Sequence, residues 1–254
     1  MTADAGPSYE VAGPPMAPAI VFVHGTRLTR ASWRAQVDDL SDAFRVVAMD
    51  LPGHGALADR PFTLEAATAE LGRVIETAAA GRAVVVGLSL GGYVAMDLAA
   101  HRPELVRGLV LSGATQEPVG LRARPYLALA WVMDRLDRSA FETANVRFFR
   151  TRFPPAIADP IVAGGFHASG GAAALRAIIG ERFLPRLAAY EGPVLILNGE
   201  LDPLFRLGAG GFARVARDVR RVRIRGATHL ANLDRPAAFN AAVRRFVEGL
   251  VGRP

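Results

Sequence analysis

The sequence predicts an α/β fold: a mostly parallel sheet flanked by helices, with a helical segment inserted before one of the later strands. Three observations carry this. Short runs of valine, isoleucine and leucine alternate with amphipathic stretches, the pattern of strands buried on both faces of a parallel sheet. One interval of about 75 residues, 115–190, interrupts the alternation and is far longer than a crossover needs. The 254 residues contain no cysteine, so packing alone holds the core, and a chain of this length can bury roughly 70–75% of its unfolded surface.

The strand-like runs are 20–23, 46–49, 83–86, 109–111, 194–197 and 222–224. An initial edge strand precedes them, followed by a turn over 12–19 that holds Pro14, Pro15 and Pro18 and is the one stretch expected to be flexible. Leu64, Leu71, Val74, Ile75 and Ala78 recur at helical spacing behind Thr63, which reads as an N-cap. Phe239, Val243, Phe246 and Val247 form a closing amphipathic helix with Asp234 and Pro236 near its start. The alternation thus divides the chain into a core of residues 1–114 and 191–254 and a helical lid of residues 115–190. In the lid, residues 126–133 are apolar and Ser139-Ala140-Phe141-Glu142 matches a capping box. Phe141, Phe148, Phe149, Phe153, Phe166 and Phe183 also gather there.

Charge adds exclusions. There is no lysine, so all 30 basic residues are arginine, and 24 acids leave a net charge of +6. Six arginines fall between Arg214 and Arg225. Arg221, Arg223 and Arg225 alternate with Val222 and Ile224, which describes a strand with arginines toward solvent at a sheet edge. Without interleaved aromatics or a recognised module, this argues against nucleic-acid binding. The first ten residues carry two acids and no apolar core, unlike a secretory signal. The longest apolar stretch, 83–96, contains a serine and three glycines and falls short of the ~18 residues of a membrane span. A cytoplasmic protein with no membrane span is expected.

Gly87-Leu88-Ser89-Leu90-Gly91 carries the chemistry. It follows a strand-like run and opens a helix-like one, the setting of a nucleophile elbow, where serine occupies a strained strand-to-helix turn. A serine needs a positioned base. In the elbow architecture the chain order is serine, acid, histidine; His101, His167 and His229 follow Ser89, and His101 ends the helix-like run that the serine opens. His167 lies in the inserted segment, whereas Gly226-Ala227-Thr228-His229 follows a strand, so His229 is the base. Asp202 comes just after the run 194–197, at the carboxyl end of a strand where catalytic groups of α/β sheets gather, and is the acid that orients His229. Glu200 is the runner-up. Oxyanion donors are assigned to the N–H of Leu90, at a helix N-terminus, and of Thr26, in His24-Gly25-Thr26 after the first buried run. His24 is expected to be structural.

These motifs resemble the α/β-hydrolase superfamily, in its lidded serine hydrolase and esterase group, over nearly the whole chain. The matching residues are His24-Gly25 with Trp33 downstream, Asp50-Leu51-Pro52-Gly53-His54-Gly55, Ser89 with Gly91-Gly92, Gly199 to Asp202, Gly226 to His229, and the closing Asp234, Pro236, Phe239 and Asn240. Two positions depart from the family pattern: Ala56, where a further serine is frequent, and Arg27, where an apolar residue is frequent. The resemblance implies an α/β-hydrolase sheet with the lid inserted before the acid-bearing strand. Ser89 excludes the relatives that use an aspartate nucleophile.

The expected activity is hydrolysis of a carboxylic ester, lactone or thioester through an acyl-enzyme, with no metal and no organic cofactor. Alternatives on the same triad are C–C bond hydrolysis, perhydrolysis, and non-hydrolytic cyclisation or acyl transfer. A ligand-binding receptor on the same fold is disfavoured by the intact triad. Candidate substrate contacts are Arg27, Trp131, Phe141, Phe149 and His167. Inward aromatics would form an apolar tunnel for an apolar or aromatic acyl group. Seven arginines against four acids in the first half of the lid leave an acidic carrier protein as a candidate partner.

Overall fold

The structure, a computed structural model, describes residues 7–251. The first six residues, part of the segment read as lacking a signal, lie outside them. Seven strands among the described residues form one sheet: β1 (Tyr9–Ala12), β2 (Ala19–Val23), β3 (Arg45–Met49), β4 (Ala83–Leu88), β5 (Val106–Ser112), β6 (Pro193–Gly199) and β7 (Asp218–Ile224). Their order across the sheet is β1-β3-β2-β4-β5-β6-β7. β1 is antiparallel to β3 and every other neighbouring pair is parallel. The turn between β1 and β2 is closed by Ala17 N–H donating to Pro14 O at 3.2 Å.

Eleven α-helices accompany the sheet within the described residues. They are α1 (Arg34–Leu40), α2 (Leu64–Ala78), α3 (Leu90–His101), α4 (Arg124–Arg135), α5 (Arg138–Arg152), α6 (Pro155–Gly164), α7 (Ala168–Ile178), α8 (Phe183–Ala189), α9 (Pro203–Val215), α10 (Ala231–Asp234) and α11 (Pro236–Val251). Strand parity divides the core in two. Val21, Val23, Val47 and Val85 pack with α2, α3, α8 and α9 on one face. Ile20, Phe22, Val46 and Val84 pack with α1 and α11 on the other. With apolar contacts required on both faces, β2 and β4 are buried throughout and read as unbroken apolar runs. β7 is an edge strand with Arg220, Arg221 and Arg223 exposed, which discourages further strand pairing.

Five helices, α4 to α8, occupy the interval between β5 and β6. The α5 cap differs from the expected capping box. Asp137 accepts from Ser139 N–H and Ala140 N–H, each at 3.0 Å, so the helix starts a residue before Ser139. An ionised carboxylate reaching two free backbone donors makes the stronger cap.

The aromatics also sort differently from expectation. α4 buries Tyr126, Ala130 and Met133, a stripe at i, i+4, i+7, which turns Trp131 outward. Trp131 is 55% exposed with the Arg135 guanidinium 4.5 Å from its ring centre, so it is a surface residue and not a contact over the site. Phe149 is fully buried. It stacks on Phe153 and Phe166 at 5.8 and 5.4 Å and shares a cluster with Leu28 and Leu233. That cluster fastens α5 and α6 to the loop that follows β2 and to α10. Phe141 joins the main core beside Tyr126 and Met133.

No helix among the described residues is long and apolar enough to cross a membrane. Truncating Phe149 to alanine should cost about 3–5 kcal/mol, as for other buried aromatics. Trp131→Ala should cost under about 1 kcal/mol, the scale of an exposed cation–π contact. Urea unfolding curves of the two variants measure the difference, and equal losses would place Trp131 in the core.

Candidate active site

β4 ends at Leu88 and α3 begins at Leu90, leaving Ser89 alone to reverse the chain. It does so at φ 52°, ψ −115°, a conformation that L residues rarely hold. Backbone contacts fix it there: Ser89 N–H donates to Ser112 O at 2.7 Å, and Ser89 O accepts from Gly92 N–H at 2.9 Å. The flanking glycines are required by close approach. A Cβ on Gly87 would lie 2.4 Å from Gly91 O, and one on Gly91 would lie 2.2 Å from Val23 O.

His229 and Asp202 come from neighbouring strand ends, after β7 and β6. His229 Nδ1 is 2.8 Å from Asp202 Oδ2. Phe205 stacks on the imidazole with ring centres 4.8 Å apart, and Asp202 is buried. Glu200, the other acid of that loop, accepts from Gly226 N–H at 3.0 Å and serves the turn. Ser89 and His229 line one cleft of about 210 Å³ with Thr26, Arg27, Leu28 and Phe148. The N–H groups of Thr26 and Leu90 have no acceptor among the described residues.

Behind the cleft, three histidines act as acceptors for backbone donors. His24 Nε2 accepts from Leu51 N–H at 3.0 Å. His54 Nε2 accepts from Arg27 N–H at 3.2 Å, and His167 Nε2 from Gly55 N–H at 3.0 Å. An imidazolium could accept none of these bonds. Burial holds the rings neutral, taking His24 down to about 4 and His54 down to about 3, and it lowers His167 as well. Arg27 O accepts from His167 N–H at 3.0 Å. The loop after β2 is therefore tied to the Gly53-His54-Gly55 turn and to the start of α7.

α5 crosses this arrangement with one face toward it. Asn145 Oδ1 accepts from Arg27 Nε at 2.9 Å, and Phe148 lines the cleft. Arg152 donates to Asp234 at 2.6 Å; Asp234 in turn accepts from Thr228 N–H at 2.7 Å, beside His229. Residues 145, 148, 149 and 152 follow the i, i+3, i+4, i+7 spacing of one helical face.

The structure therefore brings Ser89, His229, Thr26 and Arg27 to one cleft, with Asp202 behind His229. Phe141 and His167 line a separate depression of about 470 Å³, and Phe149 lies behind the wall in its aromatic cluster. Phe148 was absent from the expected contacts. Its phase relative to Phe141, Asn145 and Phe149, all buried on α5, is the signal that could have found it.

The sequence model of the alpha/beta hydrolase family matches residues 20–242. The chain belongs to the alpha/beta hydrolase family. It is similar to a pimeloyl-[acyl-carrier protein] methyl ester esterase from Edwardsiella ictaluri, 30% identical over 91% of this chain and 93% of the relative. It is also similar to 3-oxoadipate enol-lactonase 2 from Acinetobacter baylyi, 25% identical over 96% and 94%. Among solved structures, a thermophilic esterase from Thermogutta terrifontis superposes with a TM-score of 0.78 at 25% identity, covering 95% of this chain and 93% of that one. The enol-lactonase from Burkholderia xenovorans shares the fold with a TM-score of 0.79 at 23% identity, over 94% and 95%. As a member of this family the chain is an enzyme.

The neutral histidines set an acid limit on this hydrolase. The unfolded chain takes up protons at these rings below about pH 6.5, whereas the folded rings resist until about 4 and 3. Their contribution to stability is complete above pH 6.5 and is lost as the pH falls toward 4 and then 3. Melting temperature should therefore drop by several degrees between pH 7 and pH 4.5, and His54→Gln should flatten part of that slope. A flat wild-type profile over this range would contradict the neutral-acceptor account.

Proposed function

We propose that the chain hydrolyses a carboxylic ester, lactone or thioester through an acyl-enzyme on Ser89, with helices α4 to α8 serving as a lid over the core formed by 1–114 and 191–254. The observation that carries this reading is a serine at a strained strand-to-helix turn sharing a cleft with a histidine that is paired to a buried aspartate. His229 Nε2 takes the proton as Ser89 Oγ attacks the acyl carbon. The N–H groups of Thr26 and Leu90 stabilise the resulting oxyanion. His229 then returns that proton to the leaving alcohol or thiol as the acyl–oxygen or acyl–sulfur bond breaks. Water attacks the acyl-enzyme with His229 again as base, releasing the acid and restoring the serine hydroxyl. Asp202 holds the ring in the tautomer that presents Nε2 and stabilises its protonated form.

The relatives named as enol-lactonase and methyl ester esterase support an oxygen ester as the scissile group. Leu28, Leu88, Phe148 and Leu230 make much of the cleft wall apolar, which supports a small acyl group. The carrier-protein ester named for one relative supports an acidic carrier as a partner. Arg122, Arg124 and Arg147 of the lid form no ion pair among the described residues and would meet it, whereas Arg152 is engaged with Asp234. The reaction is assigned to the cytoplasm.

Ser89→Ala should reduce kcat by about 10⁶, because triad members act as a unit. Residual activity above a few per cent would refute nucleophilic attack by Ser89. Asp202→Asn should lower kcat by about 10⁴ by favouring the wrong tautomer, while Glu200→Gln, which keeps an acceptor for Gly226 N–H, should change it little. Steady-state kinetics with the opposite ranking would transfer the orienting role to Glu200.

A further inference from the structure

Arg27 stands one residue beyond Thr26 and lines the cleft that holds Ser89. Its main chain has little freedom. It sits at φ 59°, a left-handed conformation that side chains of L residues rarely adopt. It is kept there by His54 accepting from its N–H and His167 donating to its carbonyl. The side chain is half-buried, and burial pulls its pKa down with no opposing charge raising it. Among the described residues no carboxylate pairs with it. Its one side-chain hydrogen bond goes from Nε to the neutral amide oxygen of Asn145. Asn145 is itself anchored, donating from Nδ2 to Phe141 O at 2.8 Å. The two terminal nitrogens of the guanidinium have no protein partner among the described residues.

Other part-buried arginines are either bonded to backbone carbonyls, as Arg45 is to Ala78 O and Arg107 to Leu250 O, or paired with carboxylates. Arg30, beside it on the same loop, is paired with Asp50. Arg73, Arg152 and Arg186 are likewise paired with carboxylates. A half-buried cation without a counter-charge carries an uncompensated desolvation cost, and a single neutral amide offsets only part of it. The tethered backbone and the Nε bond to Asn145 together restrict where the fork of donors stands, the preorganisation that an anion site requires. A guanidinium fork matches a carboxylate with two parallel hydrogen bonds.

We propose that Arg27 binds a carboxylate carried by the acyl portion of the substrate, so that the cleft selects half-esters or lactones of short dicarboxylic acids over neutral esters. This rests on the hydrolase reading of the same cleft and names its substrate class. Arg27 follows the residue assigned to the oxyanion, and the cleft measures only about 210 Å³, so the two carbonyl groups of such an acid must be joined by a short chain. The apolar wall at Phe148 and Leu28 then packs the methylenes, and the arginine supplies the charge that an all-apolar tunnel would lack.

The test pairs monomethyl esters of succinate, glutarate and adipate with the neutral methyl esters of equal chain length. For the wild type, kcat/KM should favour at least one anionic ester by about 10-fold or more, the scale of a charge-assisted bidentate contact. In Arg27→Gln that ratio should collapse toward one, and in Arg27→Lys, which keeps charge without the fork, it should fall in between. Binding is read separately, by calorimetric titration of free succinate, glutarate and adipate into Ser89→Ala protein with and without Arg27→Gln. The affinity for at least one diacid should drop about 10-fold when Arg27 is replaced. A wild type that hydrolyses neutral esters as well as or better than their anionic partners, or an Arg27→Gln enzyme that keeps the preference, would overturn the proposal while leaving the hydrolase reading intact. Failure of a fluorophosphonate to label Ser89 together with no ester turnover would instead sink the hydrolase reading. The diacid titration would still decide the role of Arg27, because absence of binding to the parent protein contradicts it. If Arg27→Gln does not fold, the wild-type ester ratio and the Arg27→Lys variant decide between the two outcomes.

Discussion

Holding a serine at φ 52° and ψ −115° costs on the order of 1–3 kcal/mol, and the strain persists only because the surroundings leave the backbone no alternative. β2, β5 and α3 all press on this one turn. Ser89 N–H is drawn to the end of β5, Gly91 is wedged against the last carbonyl of β2, and Gly87 faces the backbone of Gly91 and Gly92. Neither glycine position tolerates a side chain. The turn therefore depends on the register of the central parallel strands, and it places Ser89 at the sheet's carboxyl edge. The other groups of the cleft gather along that same edge: Thr26 after β2, Asp202 after β6 and His229 after β7. Catalytic groups of open α/β sheets collect there because successive loops emerge side by side.

The inserted helices are joined to this edge by polar contacts as well as by packing. Midway along α5, Asn145 holds the Arg27 side chain. At its C-terminal end, Arg152 holds Asp234, which accepts from Thr228 N–H next to His229. Between them Phe148 faces the cleft and Phe149 enters the aromatic cluster with Leu28 and Leu233. One helix thus spans from the loop after β2 to the loop after β7. The buried neutral histidines complete the frame. His24 and His54 act as fixed acceptors under the loop after β2, and His167 repeats the arrangement from the start of α7.

Much of the fold was legible because strands buried on both faces leave continuous runs of valine, isoleucine and leucine. All six runs coincide with strands of the structure, and Thr63 accepts from Ala66 N–H as an N-cap should. Both edges were expected, the initial strand as β1 and the arginine-lined one as β7. The pairing of β1 with β3, a non-consecutive segment, is what local pattern does not reveal. In the inserted helices, residue type misled where phase would have served. Trp131 looks like a wall of the cleft by composition, but the buried stripe Tyr126, Ala130 and Met133 turns it to solvent. Ser139 looks like a cap until Asp137, two residues earlier, takes its donors. The elbow and its histidine and aspartate stood out because each follows a strand directly. The isolation of Arg27 did not stand out, because it depends on which carboxylates come near in three dimensions. Asn145 is 118 positions away along the chain, and no local spacing encodes that contact.

The central claim is that the strained serine forms a covalent acyl intermediate. It is tested most directly by rapid acid quench of the enzyme during turnover of an activated ester, followed by intact and peptide mass spectrometry. The account predicts a single acyl adduct on the peptide that contains Ser89, rising before the steady state and absent in Ser89→Ala protein. Turnover that proceeds with no adduct under conditions where deacylation is limiting, or an adduct carried by another residue, would contradict it.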